Sequence, residues 1–300
     1  MMMEAWSVEH PGKISGSHGS PEFALSVRKI HDDPSTVELT LDNIDLDKPT
    51  VASIRNLMMS RKWKSITVNK CSQQIDGIIE PALEQAVRLE IRGGLCQSLA
   101  FAVASGLRSK TCYLRKMCFN RTDLTLASAA TIGEGLSTSQ SLEEFALTEC
   151  RLTSDVLSAL LGITTRLRAL YLCDCLLQEE QIAQIVQTLE FHPFLKQLWL
   201  NGKQDFGDTG ALLLLEGLET HTEIEHLQLP HTFECTPQMK AYMDLNRGGR
   251  RLLGNRNAML ALWPHVFERV YRIGGLSERS RANIIYFFVH QLHGRERLAR

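Results

Sequence analysis

The chain has 300 residues, 44% of them hydrophobic, 22% charged and 7% aromatic, a composition that rules out disorder throughout and supplies enough apolar surface for a sizeable core. Lys and Arg number 33 against 34 Asp and Glu, a formal charge of -1, so the chain as a whole lacks the basic excess of a nucleic-acid binder. No apolar run reaches the roughly 18 residues of a membrane span and residues 1–20 contain no signal-peptide core. Eight cysteines without a C-x-x-C pair argue for reduced thiols rather than a disulfide scaffold or a zinc ribbon. The expectation is a soluble, cytoplasmic protein.

In chain order, residues 1–34 hold Gly-Ser-His-Gly-Ser and three of the nine prolines, which predicts a flexible tail. From there a pattern repeats. Apolar triplets fall at Thr36/Leu39/Leu41, Trp63/Ile66/Val68, Ala86/Leu89/Ile91, Leu114/Met117/Phe119, Leu142/Phe145/Leu147, Leu167/Leu170/Leu172, Leu195/Leu198/Leu200 and Ile224/Leu227/Leu229, at intervals of 27, 23, 28, 28, 25, 28 and 29 residues. Residues 99–107, 126–136, 155–163, 179–189 and 210–218 place apolar side chains at three- and four-residue spacing, the period of a helix. Thr153-Ser154-Asp155 and Gly207-Asp208-Thr209-Gly210 precede two of them with N-cap chemistry. About eight coils of strand, turn and helix are expected over 35–236. The shorter intervals after Trp63 and Leu142 predict irregular coils. Residues 237–300 break the frame and read as helices over 237–244, 258–271, interrupted by Trp263-Pro264, and 277–292. They carry twelve Lys and Arg against four Asp and Glu, a basic C-terminal cap for the exposed last coil of a solenoid.

Two copies are especially clear: Leu142-Glu-Glu-Phe145-Ala-Leu147-Thr-Glu-Cys150-Arg-Leu152 and Leu167-Arg-Ala-Leu170-Tyr-Leu172-Cys-Asp-Cys175-Leu-Leu177. Both read L-x-x-L-x-L-x-x-N/C-x-L. With the 28-residue length and Phe206-Gly-Asp-Thr-Gly210-Ala211, they make the chain resemble ribonuclease-inhibitor-like leucine-rich-repeat proteins over residues 36–236. The segment from Asp244 through Leu262-Trp-Pro-His-Val266 to Ile284-Ile-Tyr-Phe-Phe288 looks similar to the tails of uncharacterised repeat proteins of diatoms and implies no activity. The resemblance implies an α/β fold, a curved solenoid with a parallel inner sheet and outer helices. It does not by itself name a function, because this architecture serves inhibitors, GTPase activators, immune sensors and adaptors alike.

Side chains alternate across a strand, so repeat positions 3, 5, 7 and 8 compose the concave face. Two features stand out there: a basic stripe of Arg88, Arg92, Lys116 and Arg121, and aromatics at Tyr171 and Trp199 in equivalent places of adjacent coils. Trp, Tyr and Arg dominate binding hot spots, and exposed aromatics at such positions commonly contact the partner in ribonuclease-inhibitor-like proteins. Glu144 and Asp174 complete the candidate partner-binding set. At position 9, Cys71, Thr122, Cys150, Cys175 and Thr232 are read as small polar caps for backbone groups leaving each strand. His221, His226, His231 and Cys235 lack zinc-ligand spacing, and Gly133-Glu-Gly135 lacks the third glycine of a nucleotide loop, so no metal, cofactor or catalytic residue is expected.

The sequence therefore predicts a monomeric, non-catalytic module that binds a protein on its concave sheet. Two alternatives accompany it: regulation of a small GTPase through an amide such as Asn69 or Asn120, and contact with nucleic acid or an anionic membrane through the basic cap.

Overall fold

The computed structural model describes residues 12–15, 21–44, 47–70, 76–163 and 165–250, with positions 265, 266, 268, 269 and 272. Among these residues nine strands form one open parallel sheet in chain order: β1 (Lys13–Ser15), β2 (Glu38–Asp42), β3 (Trp63–Asn69), β4 (Ala86–Arg92), β5 (Lys116–Asn120), β6 (Glu144–Thr148), β7 (Ala169–Cys173), β8 (Gln197–Trp199) and β9 (His226–Gln228). Helices lie between them: α1 (Pro21–Asp32), α2 (Lys48–Met59), α3 (Asp76–Gln85), α4 (Gln97–Arg108), α5 (Leu126–Thr138), α6 (Ser154–Leu161), α7 (Glu179–Thr188) and α8 (Gly207–Thr220), with α9 (Pro237–Arg247) after the last strand. Each strand pairs with the next and each helix packs on the next, which is the curved α/β solenoid that the 28-residue period requires. Among the described residues no helix is long and apolar enough to cross a membrane.

The strand frame read from the sequence holds in every coil. Leu39, Ile66, Leu89, Met117, Phe145, Leu170, Leu198 and Leu227 are successive register partners, and all except the half-buried Leu227 on the terminal strand are enclosed between sheet and helices. One continuous apolar core therefore runs the length of the array.

The N-terminal expectation needs correction. Within the segment read as a flexible tail, β1 pairs with β2 through Lys13↔Thr40, Ile14↔Leu41 and Ser15↔Asp42, and Phe23 and Ile30 of α1 enter the core. These residues form an additional coil, making nine strands. Its signal was hidden because a three-residue strand offers only one inward side chain, Ile14.

The coils expected to be irregular keep helices. After Trp63 the 23-residue interval still holds the ten residues of α3, whose end abuts β4, so the shortening comes out of the connections. The 25-residue interval after Leu142 reduces α6 to eight residues. Thr153 caps α6 by accepting from the Val156 N–H. At α8 the helix already begins at Gly207, which places Asp208 and Thr209 in its first turn rather than at the cap.

The Gly133-Glu-Gly135 pair serves close helix packing. A Cβ at Gly135 would stand 2.7 Å from the Ala104 Cα of α4, and one at Gly133 would stand 2.4 Å from the Ala159 carbonyl of α6, so only glycine lets three neighbouring helices approach this closely. The expected helices over 258–271 and 277–292 lie largely or wholly outside the described residues.

Candidate functional site

Positions 3, 5, 7 and 8 of the strands compose the concave face, and their chemistry falls in bands. β2 presents Glu38 and Asp42. β3 to β5 present Lys70, Arg88, Arg92, Lys116 and Arg121, with Glu90 the one acid. β6 and β7 present Glu144, Glu149 and Asp174 without a Lys or Arg, and β8 contributes Gln197, Trp199 and Asn201.

The four cations of the expected basic stripe each meet a carboxylate. Arg88 and Arg92 both hold Glu90, at 3.0 and 2.6 Å. Lys116 pairs with Glu144 across the β5–β6 boundary at 2.8 Å, and Arg121 pairs with Glu149 at 2.8 Å. The stripe is therefore an ion-pair lattice. Glu90 is only 3% exposed and also receives the Asn120 amide at 3.4 Å. A carboxylate so enclosed is stable only with its cations in place. It was passed over in the sequence because a lone Glu on a strand looks like any solvated residue; its place between two arginines at positions 3 and 7 was the available signal.

Tyr171 and Trp199 are register partners and stack with ring centroids 5.7 Å apart and an interplanar angle of 29°. The Tyr171 hydroxyl donates to Glu144 at 3.3 Å, so Lys116, Glu144, Tyr171 and Trp199 form one chain of contacts across four strands. Burial, followed by the charge of Glu144, raises the Tyr171 phenol above its ordinary value, which keeps it a donor. The Trp199 indole N–H donates to Gln197 at 3.4 Å. Both rings remain half-exposed, as a platform for a ligand must.

Position 8 has a positive φ in each of seven coils: Asn43, Lys70, Gly93, Arg121, Glu149, Asp174 and Gly202. This left-handed turn extends the ladder beyond the strands, because the same N–H groups of Asn43, Lys70, Gly93, Arg121, Glu149 and Asp174 donate to the next coil's carbonyl. It also throws the position-8 side chains out along one rim. Asp174 sits there with Oδ1 accepting from the Lys203 N–H at 2.8 Å.

At position 9, Thr122, Cys150 and Cys175 act as read, whereas Thr232 is exposed on the turn after β9. Cys150 Sγ reaches the Phe119 and Thr148 carbonyls, Cys175 Sγ the Leu147 and Cys173 carbonyls, and Thr122 Oγ1 the Asn120 carbonyl. Cys71 lies outside the described residues. In the β8 coil, Gln204 takes this task and satisfies the Leu172, Leu200 and Asn201 carbonyls. Burial raises the thiols of Cys150 and Cys175, and pushes Cys118 and Cys173 up to about 12.

The histidines do not converge. His221 is buried with both ring nitrogens on backbone groups, whereas His226 is exposed on β9 beside Arg247. Among the described residues no group of three or more His, Cys, Asp or Glu is placed to hold a metal ion. The amides of Asn69 and Asn120 are engaged with Asp42 and Glu90. In the described part of the basic segment, Arg247 pairs with Asp244 at 2.6 Å, and Arg250 lies over the Tyr242 ring while donating to the Leu218 and Glu219 carbonyls at the end of α8.

No known protein-family profile matches the chain, and neither does any curated protein sequence.

Proposed function

We propose that the chain is a leucine-rich-repeat protein of the ribonuclease-inhibitor-like kind, acting as a non-catalytic module that binds a protein partner on its concave sheet. The repeat length, the alternation of strand and helix and the thiol caps at position 9 support the kinship. The observation that carries the function is the stacked, half-exposed Tyr171–Trp199 pair. The rings lie on the sheet face away from the core, so folding gains little from them, and large aromatics left partly in water are what binding hot spots are made of. Glu144 and Asp174 adjoin them, and the ion-paired Arg88, Arg92, Lys116 and Arg121 extend the polar surface toward β4. In this reading the protein works as a cytoplasmic monomer, and the cysteines among the described residues, none of them in a disulfide, suit a reducing compartment.

The test is capture of partners by the wild-type chain followed by titration calorimetry of an identified one. Trp199→Ala should weaken binding by about 2 kcal/mol, or thirtyfold, while circular dichroism stays unchanged. Undiminished affinity in a normally folded variant would remove the concave face from the reading.

A further inference from the structure

The banding of charge on the concave face is sharper than an averaged solvated surface requires, and it has a direction. Over β3 to β5, positions 3, 5, 7 and 8 hold five cations against Glu90. Over β6 and β7 they hold three carboxylates and no Lys or Arg, and the aromatic platform lies immediately beyond. Ion pairing neutralises the border through Lys116–Glu144 and Arg121–Glu149, and Glu90 offsets one of its two arginines. The excess that remains is positive around Lys70 and Arg92 and negative at Asp174, on the same rim of the sheet. A polyphosphate chain suits this face poorly. The basic band is only three strands wide, four of its five cations are already held by Glu90, Glu144 and Glu149, and the negative Asp174 lies beyond it, so a continuous run of negative charge gains little there.

We propose, building on the protein-binding reading above, that this face receives an extended peptide segment of matching polarity. The segment lies across the strands, sets an Asp or Glu beside Lys70 and Arg92, and sets an Arg or Lys over the Tyr171–Trp199 platform and Asp174. The outer face that stacking leaves to each ring is electron-rich and favours a cation, and the Asp174 carboxylate reinforces the preference. Strands in a sheet stand about 4.8 Å apart, so β3 or β4 to β7 spans roughly 14–19 Å. An extended chain covers about 3.4 Å per residue. The acidic and basic side chains of the ligand are therefore about four to six residues apart.

The experiment is selection of a phage-displayed library of random dodecapeptides on the full-length protein, followed by affinity measurements of synthetic copies of the enriched peptides. The expected peptides carry an acidic and a basic residue at that spacing. They lose at least thirtyfold in affinity on Trp199→Ala, and lose several-fold on Asp174→Asn and on Lys70→Asn, with the charge-dependent part fading at high salt. Both asparagine variants tolerate a positive φ, and Asp174→Asn retains the oxygen that accepts from the Lys203 N–H, so neither should disturb the fold. Peptides that need Trp199 but lack the charge spacing, or ignore both asparagine variants, overturn this inference and leave the binding face standing. A selection in which no peptide depends on Trp199 overturns the binding face itself.

Discussion

The Nε2–H of His221 donates to the main-chain carbonyl of His192, one coil earlier, at 3.1 Å. His192 is itself fixed: its Nε2–H donates to the Leu161 carbonyl at 2.9 Å and its Nδ1 accepts from the Thr165 hydroxyl at 2.7 Å. His221 Nδ1 accepts from the Glu223 and Ile224 N–H groups, and the Asn246 amide of α9 then caps the His221 and Ile224 carbonyls. Thr165, His192, His221 and Asn246 thus form a polar ladder that ties α6 to α9 along the edge where the helices end. Each ring must be neutral, because its Nδ1 is already used as an acceptor.

The ladder predicts acid sensitivity. Burial depresses His192 to about 4 from an ordinary 6.5 and lowers His221 as well. The folded state therefore resists the proton that the unfolded chain accepts, so stability present above pH 6.5 is lost as the pH falls toward 4. For His192 the loss at pH 4 is about 3 kcal/mol. Urea denaturation at pH 7 and pH 4.5, compared between wild type and His192→Gln, should show a smaller pH dependence in the variant; equal dependence would refute the assignment.

Leu170 is 1% exposed and faces the core between Phe145 and Leu198. Leu170→Asp buries a charge there at a cost of several kcal/mol and should abolish cooperative unfolding near room temperature. Lys116→Gln, one surface away and 45% exposed, removes only a solvent-screened ion pair and should cost less than about 1 kcal/mol. Thermal melts followed by circular dichroism separate the two.

Lys70 adopts a φ of 48°, where a side chain meets steric strain that glycine escapes. Lys70→Gly should raise stability by about 0.5–1 kcal/mol. The reverse holds at Gly202, whose φ is 102° and where a Cβ would stand 2.4 Å from Asp174 Oδ1. Gly202→Ala should destabilise by at least 1 kcal/mol, visible as a lower midpoint in urea.

Glu90 holds two arginines in an enclosed position. Glu90→Ala should cost about 2 kcal/mol or more, because Arg88 and Arg92 then repel each other without their shared carboxylate. Replacing all three by uncharged residues of similar volume should recover most of the loss, which chemical denaturation of the single and triple variants can measure.

Alkylation with iodoacetamide at pH 8 should label Cys96, which is exposed, well before Cys118, Cys150, Cys173 and Cys175, whose thiols are buried and raised. The thiolate is the reactive species. Peptide mapping by mass spectrometry gives the order, and rapid labelling of Cys118 or Cys173 in the native chain would contradict the burial that the sheet imposes.

What the sequence determined by itself was periodic. Inward apolar side chains at positions 1, 4 and 6, from Leu39 to Leu229, recur because every coil must bury the same face against its neighbours, and that local rule is written in each repeat. Position-9 caps such as Cys150 and Cys175 were legible for the same reason, and so were Tyr171 and Trp199, placed side by side by counting alone. Pairing across coils was not legible. That Asn120 reaches Glu90, that Glu144 answers both Lys116 and Tyr171, and that His221 leans on His192 depend on side-chain rotamers and on contacts roughly 28 residues apart, where many partners of the right charge compete. The additional coil formed by Lys13–Ser15 and α1 was equally hidden, since a strand with one inward side chain acquires its identity only when the edge of β2 offers it hydrogen bonds. Tertiary structure decided these matters because the hydrophobic period specifies which face is buried, while the partner of each polar group is chosen by the geometry that stacking the coils creates.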